Sequence, residues 1–243
     1  MAWSDLPGMA ALLDLLCPPR CAFCGADTVR SQTPGVCVAC EALLSRSASR
    51  CRSCGEPLSA SGAECRCRGR CRHWDGLVVL ASYADEVREH VLRAKRPSGE
   101  AAATALANLL ASKHRTTIES WRIDVVVPVP MHWRRRWSRG TSAADHLARG
   151  VAAVLGAPCE RLLRRRHATR MQNELPPEER PANVRDAFLA RGRVAGRRLL
   201  LVDDVTTTGS TLAACRRTLV EAGAAAVYAA VVARADRSTG GHD

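Results

Sequence analysis

Thirteen residues near the C-terminal end of the 243-residue chain combine side chains that bind sugar hydroxyls and phosphate. An apolar run from Leu199 to Val202 leads into two adjacent carboxylates, Asp203 and Asp204. Carboxylates accept hydrogen bonds from vicinal ribose hydroxyls or face Mg²⁺. After one valine, hydroxyl side chains and a single glycine fill the next positions: Thr206, Thr207, Thr208, Gly209, Ser210 and Thr211. Because the N–H groups of such a loop at a helix start attract anions, the run predicts a sugar-phosphate site.

Two other interpretations of this run are weaker. Acids and threonines can simply end a buried strand, but a strand end rarely needs both carboxylates and six consecutive hydroxyl or glycine positions. A Walker-type NTPase loop needs a lysine after its last glycine, and no lysine follows Gly209. The flanking residues favour a strand over Leu199–Val202 and a helix from Leu212 to Ala222 that Gly223 ends.

The same run resembles the phosphoribosyl pyrophosphate (PRPP) signature of type I phosphoribosyltransferases over all thirteen residues, Leu199 to Thr211. The resemblance implies that Asp203 and Asp204 bind the ribose hydroxyls and that the loop after them holds the 5′-phosphate. It also implies Mg²⁺ as a cofactor that binds together with PRPP.

The cysteines predict a separate metal-binding module. Ten of the twelve lie between Cys17 and Cys71, and six of these form three Cys-x₂-Cys pairs. A two-residue gap lets both thiolates of one turn bind one metal ion, and a second pair completes a tetrahedron. We therefore expect two structural Zn²⁺ ions. The simplest assignment gives the first ion Cys21, Cys24, Cys37 and Cys40, and the second ion Cys51, Cys54, Cys65 and Cys67.

Some alternatives for the cysteines stay open at this point. The pairs can be crossed between the two sites, and Cys71 can replace Cys65 or Cys67. A disulfide framework would need an oxidising compartment and a secretory route, and the sequence shows no sign of either. Cys17, Cys159 and Cys215 are expected to be ordinary small core or surface residues.

After Cys71 the chain alternates apolar runs with amphipathic stretches, which predicts an α/β fold. The expected strands are Leu77–Tyr83, Ile123–Val127, Leu199–Val202 and Ala225–Val232, and the expected helices between them are Glu86–Ala94, Glu100–Lys113 and Ala143–Leu155. Strands that are apolar on both faces indicate a parallel sheet flanked by helices. Ligands of such sheets bind beyond the carboxyl ends of the strands, where Asp203 and Asp204 lie.

Zinc-ribbon cysteines followed by this α/β domain resemble the ComF family of competence-associated, type I phosphoribosyltransferase-like proteins with a double zinc ribbon. The resemblance spans about residues 10–234. We accordingly expect a Cys-rich module with a short N-terminal helix over 1–74, a phosphoribosyltransferase domain over 75–236 and a disordered tail over 237–243. Local matches include the proline-bracketed run Val127–His132, the arginine-rich stretch that ends in Arg139-Gly140, and the pattern Thr169, Gln172, Arg180, Asn183 and Phe188.

The ComF resemblance implies further site residues. Arg139 is expected to be catalytic together with the acid pair, and Lys95 and His132 are expected to contact the pyrophosphate. The polar segment Arg164–Arg185 is expected to close over the substrate as a lid. The family usually places an aromatic residue, an asparagine and a glutamine after its Arg-Gly pair, whereas this chain has Thr141, Ser142 and Ala143.

These features favour an enzyme that binds PRPP with Mg²⁺ and transfers phosphoribosyl to an acceptor that the sequence does not identify. The net charge of +12, with ten arginines and two acids between His132 and Arg170, also attracts polyanions. The alternative is a non-catalytic protein that binds single-stranded DNA or senses PRPP, and the resemblance implies a link to DNA uptake and the competence machinery. No apolar run is long enough for a membrane helix and no secretory signal is visible, so we expect no membrane insertion and a cytoplasmic protein. The oligomeric state is left open.

Overall fold

The computed structural model describes residues 18–28, 31–45, 49–58, 65, 67, 74–131, 143–166 and 187–235. Its elements, numbered along these residues, are α1 (Val38–Leu44), β1 (Leu77–Ser82), α2 (Asp85–Ala94), α3 (Glu100–Lys113), α4 (Arg115–Ser120), β2 (Val125–Pro128), α5 (Ala143–Leu155), β3 (Leu163–Arg165), β4 (Phe188–Ala190), β5 (Arg198–Thr206), α6 (Ser210–Glu221) and β6 (Ala226–Arg234). Among the residues described, no helix is long and apolar enough to cross a bilayer.

Four of the strands form a parallel sheet in the order β1-β6-β5-β2. Strand β5 pairs with β6 on one side and with β2 on the other, and β6 also pairs with β1. Every residue of β2 and the first residues of β5 after Arg198 are buried. Burial on both faces explains why these strands are continuous runs of valine and leucine. The parallel α/β architecture predicted from the sequence is confirmed.

The sheet separates two apolar layers. Leu200 and Val202 of β5 face a layer that contains α2, α3 and α5, whereas Leu199 and Leu201 face a layer with α6 and the small antiparallel sheet β3–β4. This alternation follows from the two-residue repeat of a strand. The polar residues of the strands therefore lie at the strand ends, outside these two apolar layers.

Strand β5 is longer than the sequence predicts. The expected end was Val202, but β5 continues to Thr206 because Val205 and Thr206 extend the pairing with Ala233 and Arg234 of β6. The acid pair consequently lies within the last residues of the strand rather than after it. The short elements α1, α4, β3 and β4 also had no counterpart in the sequence-based expectations.

The cysteine module packs directly on the α/β domain. Buried Phe23, Val36 and Leu44 belong to the same apolar cluster as the inner faces of α2 and α3. Asn108 Nδ2 donates to Pro34 O at 3.0 Å, which adds a polar contact between α3 and the module. The module is therefore part of the main core. The division at residue 74 remains a prediction, and the expected tail, 237–243, lies outside the described residues.

Candidate functional site

The acid pair lies at the carboxyl end of β5, between the ends of its two neighbouring strands. Asp203 is opposite Val231 of β6, and the preceding Val202 is opposite Pro128, the last residue of β2. Asp203 Oδ1 accepts a hydrogen bond from the N–H of Asp204 at 2.9 Å, and Asp204 Oδ1 accepts one from the N–H of Val205 at 2.6 Å. These bonds leave one oxygen of each carboxylate for other partners.

Lys95 is the cation that the structure brings to this acid pair. It directly follows α2, and its Nζ lies 3.1 Å from Asp204 Oδ2. Both side chains are largely buried, with exposed fractions of 23% and 17%, so solvent screens this ion pair less than a surface pair. The sequence predicted a pyrophosphate contact for Lys95, which stays a prediction, and the ion pair with Asp204 is a new finding.

The pKa of Asp203 is raised well above its ordinary value of 3.8. Burial is the largest cause, and the negative charge of Asp204 adds to it, while the Asp204 N–H and the Lys95 charge act in the opposite direction. Two carboxylates this close repel each other when both are ionised, so the ionised form of one of them is disfavoured. A divalent cation or a hydroxyl-rich ligand at this position would relieve that repulsion.

The loop after β5 turns sharply into α6. Gly209 precedes the helix with φ +78°, a left-handed conformation that disfavours any residue with a Cβ. Thr207 and Thr208 are exposed, and Thr208 Oγ1 lies 2.7 Å from Ser210 Oγ. Thr206 is buried, and its carbonyl accepts a hydrogen bond from the N–H of Ala235 at 2.9 Å. The exposed hydroxyls and the N-terminus of α6 therefore directly follow the acid pair at the carboxyl end of β5.

Several predicted residues cannot be placed at this site. Four of them lie outside the described residues: His132, Arg139, Thr141 and Ser142. Most of the expected lid also lies outside the described residues. The assignments of Asp203, Asp204, Lys95 and the loop 206–211 to PRPP therefore remain predictions.

The sequence predicted an ordinary small residue at Cys215 but not that this residue lies near the acid pair. Cys215 of α6 is fully buried, and burial, followed by the negative charge of Asp203, raises the pKa of its thiol. Its sequence context shows only a small residue on the inner face of a helix. The structure thus gives Asp203 a neutral, apolar neighbour, which contributes to the low polarity around the carboxylate.

Two clusters of four cysteines form the N-terminal module. The sulfur atoms of Cys21, Cys24, Cys37 and Cys40 all lie within 4.8 Å of one another, and the same holds for Cys51, Cys54, Cys65 and Cys67. Gly25 and Gly55, each one residue after a Cys-x₂-Cys pair, have φ values of +76° and +77°. The two turns, residues 21–25 and 51–55, therefore share one geometry, and we call them the first and second zinc knuckles. The structure groups the cysteines into the two sets that the simplest assignment proposes.

The sulfur geometry fits zinc. Four sulfurs about 2.3 Å from a tetrahedral Zn²⁺ are about 3.8 Å apart, and the separations are 3.6 Å for Cys24–Cys37 and 3.8 Å for Cys51–Cys67. The ten cysteines of the described residues are all free thiols, which disfavours the disulfide framework. All-cysteine sites with no open position are structural. The clusters thus support two structural zinc ions.

Without a metal, the thiols of the first cluster compete for protons. Burial acts on both Cys21 and Cys40. In Cys21, hydrogen bonds from backbone N–H groups outweigh burial and lower the thiol pKa to about 6. In Cys40, burial and the neighbouring thiols raise the pKa. A bound Zn²⁺ must therefore displace protons from the more basic thiols, which makes metal binding depend on pH.

Zinc analysis tests the two four-cysteine sets. We expect the wild-type chain to retain two zinc ions after dialysis against a chelator, and Cys24→Ser and Cys67→Ser to retain one each, because each variant removes a ligand of one cluster. Cys159→Ser serves as the control and should retain two. Retention of two ions by Cys67→Ser together with loss of one by Cys71→Ser would show that Cys71 is the fourth ligand instead.

Replacement of Asp203 tests the polarity of the acid pair. The folded-state pKa is raised, so the contribution of Asp203 to stability is fully present below its unfolded-state pKa and is lost as pH rises through the folded-state pKa. We expect Asp203→Asn to raise the Tm of the ligand-free protein, with a larger gain at pH 8 than at pH 5. Each unit of pKa difference corresponds to about 1.4 kcal/mol. If thermal unfolding gave the same increase in Tm at pH 5 and pH 8, the raised pKa of Asp203 would be contradicted.

Comparisons with known proteins agree with this arrangement. Residues 98–243 match the family model of the phosphoribosyl transferase domain, and residues 12–72 match that of the double zinc ribbon domain. The DNA utilization protein YhgH of Escherichia coli K12 is 36% identical over 167 residues, which cover 65% of this chain and 74% of that protein. Competence protein F of Haemophilus influenzae is 30% identical over 146 residues, which cover 57% and 64% respectively.

A third relative is named as a phosphoribosyltransferase. The adenine phosphoribosyltransferase of Nocardia farcinica is 42% identical over 97 residues, which cover 35% of this chain and 46% of that protein. The transferase family model covers more than half of the chain, and the double zinc ribbon model precedes it in the order expected of ComF proteins. The chain therefore belongs to the phosphoribosyl transferase domain family, as a ComF-type member with a double zinc ribbon.

Proposed function

We propose that this chain binds PRPP with Mg²⁺ at the carboxyl end of β5 and transfers its phosphoribosyl group to an acceptor. The observation that carries this proposal is the direct succession of the acid pair, the exposed hydroxyl loop and the N-terminus of α6 at one edge of the sheet. Carboxylates match the ribose hydroxyls, and the loop N–H groups and helix dipole match the 5′-phosphate.

The reaction breaks the bond between the anomeric carbon and the pyrophosphate oxygen, and a bond to the nucleophile of the acceptor forms in its place. Positive charge develops on the ribose ring while negative charge grows on the leaving pyrophosphate. The carboxylates of Asp203 and Asp204 lie where they can hold the ribose hydroxyls and favour the positive ring. Mg²⁺ on the pyrophosphate would supply neutralisation of the leaving group.

Lys95 contributes a cation at the same position. In the free protein its ammonium pairs with Asp204 at 3.1 Å, which keeps it beside the site. The phosphates of PRPP offer this ammonium a second anionic partner without a large movement of its chain. Arg139, which the ComF resemblance places with the leaving group, is part of the proposal as a bidentate donor to pyrophosphate.

Calorimetry of PRPP binding in the presence of Mg²⁺ tests the proposed site. We expect Asp204→Asn and Gly209→Val to weaken binding about tenfold or more, because hydrogen bonds to charged groups contribute about 1.5–3 kcal/mol and a left-handed valine strains the loop. Glu119→Gln, on the distant helix α4, is the matched control and should bind normally. Wild-type affinity in both site variants would refute the proposed site.

A screen of bases and amines as acceptors, with pyrophosphate release as the measured signal, separates a transferase from a PRPP sensor. A transferase releases pyrophosphate with one class of acceptor, whereas a sensor binds PRPP and releases none. Asp203→Asn should abolish release with any acceptor that the wild type uses, because it removes one of the two carboxyl groups proposed to hold the ribose hydroxyls.

The names of the relatives favour a second candidate function, a role in the use or uptake of DNA. The net charge of +12 supports binding of a polyanion, and the ten arginines between His132 and Arg170 concentrate that charge in one part of the sequence. The free thiols of the described cysteines fit a reducing compartment, so we place this activity in the cytoplasm. Binding of single-stranded DNA and binding of PRPP are compatible within one chain.

Titration of fluorescent single-stranded DNA at increasing salt tests the second candidate. We expect the logarithm of the affinity to fall linearly with the logarithm of the salt concentration, because bound arginines release counterions. The combined variant Arg134→Glu, Arg135→Glu and Arg136→Glu should weaken binding more than tenfold. A salt-independent affinity, or one that this variant leaves unchanged, would exclude the arginine cluster as the DNA-binding surface.

A further inference from the structure

The first zinc knuckle contacts the helix that carries Lys95 to the acid pair. The side chain of Arg93, in the last turn of α2, donates from Nη1 to the carbonyl of Phe23 at 2.5 Å and to that of Ala22 at 3.5 Å. The ring of Phe23 packs 4.5 Å from the ring of His90, one helical turn earlier. Phe23 itself is buried. Both an apolar contact and a charged hydrogen bond therefore hold the end of α2 against the knuckle.

The cysteines of the first cluster determine where these carbonyls point. Ala22 and Phe23 are the two residues between Cys21 and Cys24, whose sulfurs lie in one cluster. A metal held by both thiols fixes the turn between them. The acceptors for the Arg93 guanidinium are thus set by the geometry of the metal site.

Lys95, which pairs with Asp204, lies only two residues after Arg93. The N–H of Lys95 donates to Val91 O and Leu92 O, both at 3.2 Å, so Lys95 continues the last turn of α2. Gly99 packs on the same turn so closely that a Cβ would lie 2.8 Å from the carbonyl carbon of Ala94. The segment between Arg93 and Gly99 therefore has little freedom to adjust on its own.

We infer that Arg93 is a positioning residue, which couples the first cysteine cluster to the sugar-phosphate site by holding Lys95 against Asp204. The contacts run without a gap from the Ala22 and Phe23 carbonyls through Arg93 and the end of α2 to the Lys95–Asp204 ion pair. The effect of Arg93 on PRPP affinity rests on the proposed function, whereas its effect on the position of Lys95 is independent of that function.

The structure offers a test that needs no ligand. Lys95 and Lys113 are the two lysines of the chain. Lys113 is the last residue of α3, and its Nζ donates to Ser45 O. The ion pair holds the Lys95 amine against a carboxylate in a largely buried position, which limits its access to an acylating reagent. We expect Arg93→Ala to raise the rate of Lys95 labelling by an amine-reactive ester at least threefold, measured by mass spectrometry of the peptides. Lys113 is the internal reference and should keep its rate.

Three further variants calibrate this measurement. Asp204→Asn removes the partner of Lys95 and sets the upper limit of the labelling rate. Arg88→Ala removes an exposed arginine from the same helix and should leave Lys95 at its wild-type rate. Arg93→Lys keeps the charge but lacks the guanidinium group that donates to two carbonyls, so Lys95 should be labelled at an intermediate rate in this variant. Zinc analysis of Arg93→Ala should still give two ions.

PRPP calorimetry then separates the inference from the proposed function. We expect Arg93→Ala to weaken PRPP binding about fivefold, and Arg93→Ala combined with Lys95→Ala to bind no more weakly than Lys95→Ala alone, because one residue acts through the other. An unchanged Lys95 labelling rate in Arg93→Ala, additive losses in the double variant, or loss of a zinc ion would each overturn the inference. A wild-type chain that fails to bind PRPP but shows the labelling effect would instead refute the proposed function and keep the coupling.

Discussion

The central constraint on this protein is the burial of strand β5 in the middle of a parallel sheet. Both faces of the strand are covered, so its apolar residues fix its register against β2 and β6. That register brings Asp203 and Asp204 to the sheet edge side by side, one of them with a raised pKa and the other paired with Lys95. The apolar contacts of the strand offset the unfavourable free energy of placing two carboxylates side by side. The site therefore has its electrostatic character before any ligand binds.

The parts of the site that sequence predicts well are those in which neighbouring residues act together. The acid pair and the loop through Thr211 are contiguous, so their chemistry is visible in the one-dimensional pattern. The same holds for the Cys-x₂-Cys pairs, because a two-residue turn sets the distance between two sulfurs without help from the rest of the fold. The apolar runs likewise indicated the four parallel strands, although their ends shifted by a few residues.

The parts that sequence reasoning missed depend on contacts between distant segments. Pairing with β6 decides that β5 continues to Thr206, and no property of residues 203–206 alone requires it. The strands β3 and β4 are three residues each and are separated by a long stretch of chain, so neither gives a periodic signal. Arg93 is an ordinary helical arginine in sequence, and its role emerges only because Phe23, seventy residues earlier, presents a carbonyl to it.

The shared apolar core has a consequence for how such a protein can diversify. Val36 and Leu44 of the cysteine module lie in one cluster with the alanine-rich face of α3, so the two surfaces must keep matching shapes. A ribbon taken from another protein would meet these alanines with the wrong contours and leave voids or clashes. Exchange of whole modules is therefore a poor route to new specificity here.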